Sequence, residues 1–242
     1  MERLQKKIAN LGYCSRRKAE ELITKGEVLV NGKVVTKLGT TVKQGDVITV
    51  EGNILDNSKS YEYYLLNKPK AVVTTTSDEK GRKTVTDIIR TSTRIYPIGR
   101  LDYDTTGILL LTNDGTLANL LMQPNSQVEK TYIAKVEGII SISDVQKLRN
   151  GVLIEGIKTR KAKVKIKSVD KKKQTSIVEI TIHEGKNHQI KKMFEALGYK
   201  VVKLRREKYA NLNLKGLMPG EYRALTIKEV KTLYSLCKNK KD

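Results

Sequence analysis

Tryptophan is absent from this 242-residue sequence, which also contains only one phenylalanine and two cysteines. Cys14 and Cys237 stand near opposite ends of the chain, in neither a CxxC pair nor a disulfide framework, so we expect reduced, structural thiols. The longest aliphatic run, residues 108–111, is far shorter than the roughly 18 residues of a membrane span. The first residues also lack the apolar stretch of a secretory signal. These absences predict a cytoplasmic protein without a transmembrane helix.

Acidic residues are the minority among the charged side chains. The chain has 47 lysines and arginines against 26 aspartates and glutamates, a net charge of +21. Such a charge attracts polyanions, either nucleic acids or anionic membrane surfaces. The basic residues are spread along the chain and are not concentrated on one amphipathic helix with large apolar anchors, which favours nucleic acid. A general DNA binder or membrane binder remains an alternative, and it predicts steep salt dependence.

Several common catalytic signatures are also missing. The sequence contains no GxxxxGK[ST] loop and no GxGxxG turn, so it lacks the usual means of nucleotide hydrolysis and hydride transfer. His183 and His188 are five positions apart with Gly185 between them, so they would not share a helix face as zinc ligands. Two histidines also give poor support for a Ser-His-Asp triad. We therefore expect neither a metal nor a cofactor.

A polar, turn-prone stretch at 55–60 separates two segments. We place a domain boundary near residue 58, giving domains 1–58 and 59–242. The first predicts two short helices, the second capped by Ser15, and a hairpin around Asn31 and Gly32, followed by a strand at 47–50.

The second segment contains many strand patterns and a few helix patterns, which indicates an α+β fold with a mixed or antiparallel sheet. The final helix opens with a capping box at Thr226, and we expect it to bury Ile227, Val230, Leu233, Tyr234 and Cys237. The predicted strands are 63–66, 71–75, 108–111, 132–136, 162–167 and 177–182, and the other helices are 117–122, 143–148 and 189–197.

Three cations crowd the predicted first turn of the second helix. Arg16, Arg17 and Lys18 would oppose the helix dipole there, so an anionic ligand would relieve their repulsion. Residues 15–23 and the hairpin that follows resemble the small α-L RNA-binding module of a ribosomal protein and several RNA-modifying enzymes. The alternative interpretation of these cations is a solvated basic face.

Residues 96–114 are the most informative stretch of the chain. Two carboxylates, an arginine, hydroxyls and two glycines precede a wholly apolar strand, and a loop anchored by a buried strand can hold a reactive group rigidly. A simple polar turn would explain Asp104 and Thr105, whose side chains can bond the backbone. It would leave Arg100 and Asp102 without a role.

Residues 99–102 (Gly-Arg-Leu-Asp) and 104–115 resemble the catalytic motif of pseudouridine synthases of the RsuA/RluB type. Further matching blocks lie at 66–69, 129–132 and 184–194, and the order and spacing agree over essentially the whole chain. The resemblance implies that a uridine in folded RNA is detached from its ribose at a ring nitrogen and rejoined through a ring carbon. No cofactor is needed for this isomerisation.

By this resemblance Asp102 is the catalytic carboxylate, kept ionised in an enclosed pocket by a neighbouring cation, for which Lys191 occupies the matching position. Many relatives have arginine there. Lysine offers a single point charge, whereas the planar guanidinium of arginine can donate two parallel hydrogen bonds to a carboxylate. Tyr132 matches the aromatic residue that packs on the target base and helps remove a proton from the ring carbon. Leu204 matches an apolar residue that floors the pocket, and Arg100 is a candidate to fill the space that a flipped uridine vacates.

The sequence therefore predicts a monomeric pseudouridine synthase that acts on ribosomal RNA. The overall pattern is similar to enzymes of the large subunit, whereas residues 188–191 are similar to those of the small subunit. Basic stretches at 158–173 and 186–208 suit the recognition of structured RNA through its phosphates. A non-catalytic RNA-binding factor of ribosome assembly is the rival interpretation.

Overall fold

The computed structural model describes residues 1–56, 60–123 and 126–238. The predicted boundary at residue 58 lies outside the described residues. The sequence also predicts a frayed tail at 238–242, of which only residue 238, the end of the last helix, is described. The chain divides into two units, the first made of Met1–Glu62, Thr91–Ile95 and Thr112–Gly115 and the second of Tyr63–Arg90, Tyr96–Leu111 and Thr116–Asp242.

The first unit combines two helices with short strands. Within residues 1–56 these elements are β1 (Glu2–Arg3), α1 (Leu4–Asn10), α2 (Arg16–Thr24), β2 (Val28–Val30), β3 (Lys33–Val34), β4 (Thr41–Val42), β5 (Ile48–Val50) and β6 (Asn53–Ile54). The strands form a sheet of order β3-β2-β5-β6 and a separate β1-β4 pair. Leu4, Ile8, Leu22 and Val28 are buried in its core, and each such side chain contributes about 1.5–3 kcal/mol by leaving water.

Local signals in the first unit specify its turns. The Ser15 hydroxyl accepts a hydrogen bond from the Lys18 backbone N–H at 3.1 Å, which caps α2 as predicted. Asn31 and Gly32 have φ values of 50° and 77°, the left-handed conformation that a tight primed hairpin turn requires. The predicted hairpin between β2 and β3 is therefore confirmed.

The second unit contributes the remaining elements. They are β7 (Tyr63–Lys68), a 3₁₀ turn (Thr86–Ile88), β8 (Tyr96–Ile98), β9 (Thr106–Thr112), α3 (Gly115–Met122), β10 (Lys130–Glu137), α4 (Ile142–Asn150), β11 (Leu153–Ile154), β12 (Ile157–Lys158), β13 (Lys163–Asp170), β14 (Thr175–Ile182), α5 (Gln189–Glu195), β15 (Val201–Tyr209), β16 (Leu212–Asn213), β17 (Tyr222–Ala224) and α6 (Ile227–Lys238). Within the described ranges, no helix has both the length and the apolar character needed to cross a membrane.

A mixed sheet of order β13-β14-β10-β15-β9-β7-β17 organises this unit. Strand β10 pairs antiparallel with β14 and β15, whereas β15 runs parallel to β9. Strand β9 lies inside the sheet and residues 107–112 are all buried, which explains the unbroken apolar run in the sequence. The α+β prediction with a mixed sheet is confirmed.

Two local expectations about this unit are wrong. Residues 71–75 form no strand: Ala71 has a φ of 61°, its N–H donates to the Tyr103 carbonyl, and the Thr74 hydroxyl donates to the Leu101 carbonyl at 2.6 Å. These bonds tie the segment to the loop before β9 and compete with strand pairing. Ile227 is 77% exposed because it lies in the first turn of α6, beyond the apolar cluster in which Leu233 is buried.

Candidate active site

A cleft opens on the second unit beside the loop that connects β8 to β9. Its walls include Arg100 and Asp102 from that loop, Tyr132 from β10 and Leu204 from β15. His188 and Ile190, at the start of α5, also line the cleft. Four residues predicted from sequence, which lie far apart along the chain, therefore line one cleft.

Asp102 forms an ion pair with Lys191, the third residue of α5. The Lys191 Nζ lies 3.2 Å from the Asp102 Oδ2. The side chains of Asp102 and Lys191 retain 28% and 25% of their exposure, respectively. The expected cation is present, but the pocket is less enclosed than expected, since both side chains remain partly exposed.

Asp104 also binds Lys191, a contact that the sequence did not indicate. The Lys191 Nζ donates to both carboxylate oxygens of Asp104, at 2.7 and 2.9 Å. These bonds lower the pKa of Asp104. Burial by itself would lower the pKa of Lys191, but its bonds to Asp104 and Asp102 outweigh that effect and the pKa is raised. Lys191 therefore remains an ammonium shared by two carboxylates.

Lys68, the last residue of β7, lies beneath the same loop. Its side chain is fully buried, and its Nζ donates to the backbone carbonyls of Pro69, Asp102 and Thr105 at 3.0–3.1 Å. Burial lowers the pKa of Lys68 to about 8, partly opposed by the charges of Asp102 and Asp104. Lys68 thus fixes the backbone that carries Asp102. The sequence placed Lys68 in a matching motif without indicating this contact.

Tyr132 and Leu204 form the side of the cleft that belongs to the sheet. They are 8% and 7% exposed, respectively. Behind Tyr132 lies Arg206, whose guanidinium Nη1 is 3.4 Å from the Tyr132 hydroxyl oxygen. In the sequence Arg206 sits in a basic run, so only its alternation with the exposed Arg205 along β15 could have indicated burial.

His188 is a further neighbour of Asp102, and the sequence did not indicate that the two side chains lie close together. Its Nδ1 lies 3.7 Å from the Asp102 Oδ2, and its backbone has a φ of 53° immediately before α5. The left-handed turn at this position brings the imidazole to the cleft. Over the ranges that the structure covers, no cluster of three or more His, Cys, Asp or Glu residues could hold a metal ion.

Comparisons with known proteins agree with this geometry. Residues 62–196, more than half of the chain, match the family described as RNA pseudouridylate synthase, and residues 2–48 match the S4 domain. The ribosomal large subunit pseudouridine synthase B of Bacillus subtilis (strain 168) is 55% identical over 100% of this chain and 99% of its own length. The dual-specificity RNA pseudouridine synthase RluF of Escherichia coli (strain K12) is 39% identical over 98% of this chain and 80% of its own.

A solved crystal structure of a pseudouridylate synthase has a TM-score of 0.69 at 33% identity and covers 96% of this chain and 100% of that one. The chain belongs to the RsuA/RluB family of pseudouridine synthases. It is therefore an enzyme that isomerises uridine in RNA, with an S4 domain followed by a synthase domain. The family resemblance stated from the sequence is confirmed.

In this pseudouridine synthase the basic first turn of α2 lies in the S4 domain. Arg16, Arg17 and Lys18 are all exposed to solvent. Lys18 forms an ion pair with Glu21 at 3.2 Å, one turn along the helix. Such an exposed pair contributes little stability, so these cations remain available for an anionic ligand.

Proposed function

We propose that this chain isomerises a uridine of large-subunit ribosomal RNA, with Asp102, Tyr132 and Lys191 as its catalytic residues. The observation that carries the proposal is the cleft that Asp102, Tyr132 and Leu204 line together, with the Lys191 ammonium 3.2 Å from the Asp102 carboxylate. A carboxylate, an aromatic ring and an apolar floor are the groups that the reaction needs around one nucleoside.

Asp102 acts first, on the ribose or on the base, to break the glycosidic bond at the ring nitrogen. An ionised carboxylate suits this role, and the neighbouring ammonium of Lys191 stabilises the negative charge. The Lys68 bonds to the Asp102 and Thr105 carbonyls hold the loop in place, so Asp102 meets the nucleoside in a fixed geometry.

Tyr132 acts at the second stage, after the ribose has been rejoined to the ring carbon. That carbon then carries both the ribose and its original hydrogen. The carbon–hydrogen bond breaks, its electron pair restores the ring double bond, and the proton passes to the oxygen of Tyr132 as that oxygen releases its own proton. The freed ring nitrogen is protonated in turn, so no atoms are gained or lost overall.

Access to the cleft requires the target uridine to leave its stack in the RNA, at a cost of a few kcal/mol. Leu204 supplies an apolar floor for the base, and the exposed Arg100 at the rim can occupy the space that the base vacates. The position of both side chains at the cleft supports these proposed roles.

The N-terminal domain, for which we propose residues 1–58, supplies a second RNA contact through Arg16, Arg17 and Lys18. Residues 59–242 form the proposed catalytic domain. The match to the S4 domain and the exposure of all three cations support this assignment. Their interaction with phosphates would add affinity without reading the sequence of the RNA.

The choice of large-subunit RNA rests on the name of the relative that is 55% identical over the whole chain. Ribosomal RNA as substrate also supports the predicted cytoplasmic location. A cleft built from the residues of a single chain supports a monomer, which light scattering would test as the mass of one 27.3 kDa chain.

Mapping pseudouridine across ribosomal RNA from cells with and without the protein tests this function. We expect one or a few large-subunit uridines to lose the modification, and purified protein to restore it on RNA from the deletion cells. Loss from small-subunit RNA alone would favour the small-subunit alternative. An unchanged ribosomal map would contradict the proposed substrate.

A further inference from the structure

The guanidinium of Arg206 is buried beside the cleft with an unusual set of partners. The residue is 3% exposed, and no carboxylate of the described residues lies within 4 Å of its charge. Its Nε donates to the Ile108 carbonyl at 2.7 Å and its Nη1 to the Tyr132 hydroxyl at 3.4 Å. Its Nη2 is buried and has no partner in the described part of the chain.

A purely structural role explains this arrangement poorly. A buried charge is normally paired, because removing it from water is costly, and a buried N–H without an acceptor adds to that cost. An apolar side chain between two tyrosine rings would avoid both costs. Buried groups that break these rules are most often found where function requires them.

Arg206 lies where two parallel strands pack closely, and its guanidinium lies near two aromatic rings. Arg206 pairs with Gly107 across the parallel strands β15 and β9, and a Cβ at Gly107 would overlap the backbone of Arg206. The guanidinium carbon also lies 5.9 Å from the ring centre of Tyr132 and 5.3 Å from that of Tyr209. Held by Ile108 on one side and by two rings, it presents one N–H to the Tyr132 oxygen.

From this geometry we infer that Arg206 is the positioning residue of Tyr132, which holds the phenol oxygen toward the cleft through a hydrogen bond. This inference rests on the proposed function of Tyr132 as the proton acceptor. A positive charge that donates a hydrogen bond stabilises an anionic oxygen more than a neutral one. The 3.4 Å bond is long, as bonds to catalytic groups often are before the substrate is bound. Burial raises the pKa of Tyr209 to about 12, so the second ring stays a neutral phenol.

Single-turnover kinetics on ribosomal RNA transcribed from UTP or from [5-²H]UTP test this inference. We expect Arg206→Gln to slow isomerisation by roughly 10²-fold, the range for an impaired proton transfer, with RNA affinity close to that of the wild type. Because removal of the ring proton becomes limiting, the deuterium isotope effect should exceed that of the wild type. Arg206→Lys should recover part of the rate. Arg205→Gln is the matched control, since Arg205 is exposed and pairs with Glu207, and its rate at saturating enzyme should fall far less than that of Arg206→Gln.

A double-mutant cycle with Tyr132→Phe separates this inference from the proposed function. If Arg206 acts through Tyr132, adding Arg206→Gln to Tyr132→Phe causes no further loss. Full additivity, an unchanged isotope effect in a folded Arg206→Gln, or wild-type activity in that variant would overturn the inference. Should Arg206→Gln fail to fold, Arg206→Met, which also removes the donor and the charge, takes its place, and a folded Arg206→Met with a wild-type rate and isotope effect would overturn the inference as well. Full activity of Tyr132→Phe alone would instead refute the role of Tyr132.

Discussion

Two groups of cations in this protein differ in what surrounds them. Arg16, Arg17 and Lys18 of the S4 domain are exposed, and the ion pair that Lys18 forms with Glu21 is itself solvated. Lys191 in the synthase domain is three-quarters buried and is held by two carboxylates. Exposed charges attract RNA at long range and are screened by salt, whereas a charge held in a cleft sets local geometry and chemistry. Removing the first group should therefore change binding, and disturbing the second should change the reaction.

The largest expected effect comes from the carboxylate in the cleft. Asp102→Asn should bring single-turnover isomerisation down by 10³-fold or more, roughly the cost of losing an essential catalytic group, while RNA binding persists. Asp104→Asn is the matched control, because Asp104 also binds Lys191 but its side chain is 64% exposed. We expect that variant to lose much less activity. Equal losses in the two variants would show that Asp102 is no more important than Asp104. An active Asp102→Asn would refute the catalytic role of Asp102.

Lys68→Met should mainly reduce stability. It should also loosen the loop that carries Asp102. The variant loses three hydrogen bonds from a buried ammonium to carbonyls, and we expect the free energy of unfolding to fall by about 2–4 kcal/mol at pH 7. Chemical denaturation measures this difference.

The same variant gives a pH test with a defined sign. The pKa of Lys68 is lowered by burial from 10.5 to about 8, so between these pH values the unfolded chain binds more protons than the folded one. Wild-type stability relative to Lys68→Met should therefore rise as the pH increases from 8 to 10.5. A difference that is constant or falls over this interval would contradict the buried position of the ammonium.

Replacing Arg16, Arg17 and Lys18 together by glutamine should weaken RNA binding and leave the single-turnover rate at saturating enzyme unchanged. The slope of log affinity against log salt should decrease by about one for each phosphate that the variant no longer neutralises. Replacing both arginines by lysine keeps the charge and serves as the control. A loss of rate with unchanged affinity would contradict the assignment of these exposed cations to RNA binding.

The smallest expected effect concerns the cap of the helix that carries these cations. Ser15→Ala removes the hydrogen bond to the Lys18 N–H and should cost about 1 kcal/mol of stability in the S4 domain, measured by thermal or chemical unfolding. Isomerisation at saturating enzyme should not change. Ser15→Asn, which can also cap, should retain the stability.

Sequence reasoning succeeded where the determinant was local. The apolar run of β9, the spacing of Ile190, Met193 and Phe194 in α5, and the Asn31–Gly32 turn each predicted the element that the structure contains. These signals come from periodicity and backbone conformation, which a short window of sequence carries. The false strand at 71–75 has the composition of a real one, but Ala71 and Thr74 bond the loop before β9, and Val73 forms only an isolated bridge with Thr84.

The candidate site was only partly predictable for the same reason. Asp102, Tyr132 and Lys191 could be named because they stand in the matching blocks, yet nothing local revealed that Asp104 shares Lys191 or that Lys68 binds the loop carbonyls. Those contacts join residues that are close in the fold and distant in the chain. Which residues contact one another thus depends on the topology of the fold, which cannot be read from local composition and spacing.

A crystal structure of Asp102→Asn bound to a ribosomal RNA fragment that contains the mapped uridine would show whether the cleft receives the reacting nucleoside. We expect an unstacked uridine in the cleft, with its base against Tyr132 and Leu204 and its glycosidic bond within reach of residue 102. A uridine that remains stacked in the RNA, with the cleft left empty and the RNA bound elsewhere, would contradict the proposed catalytic role of this cleft.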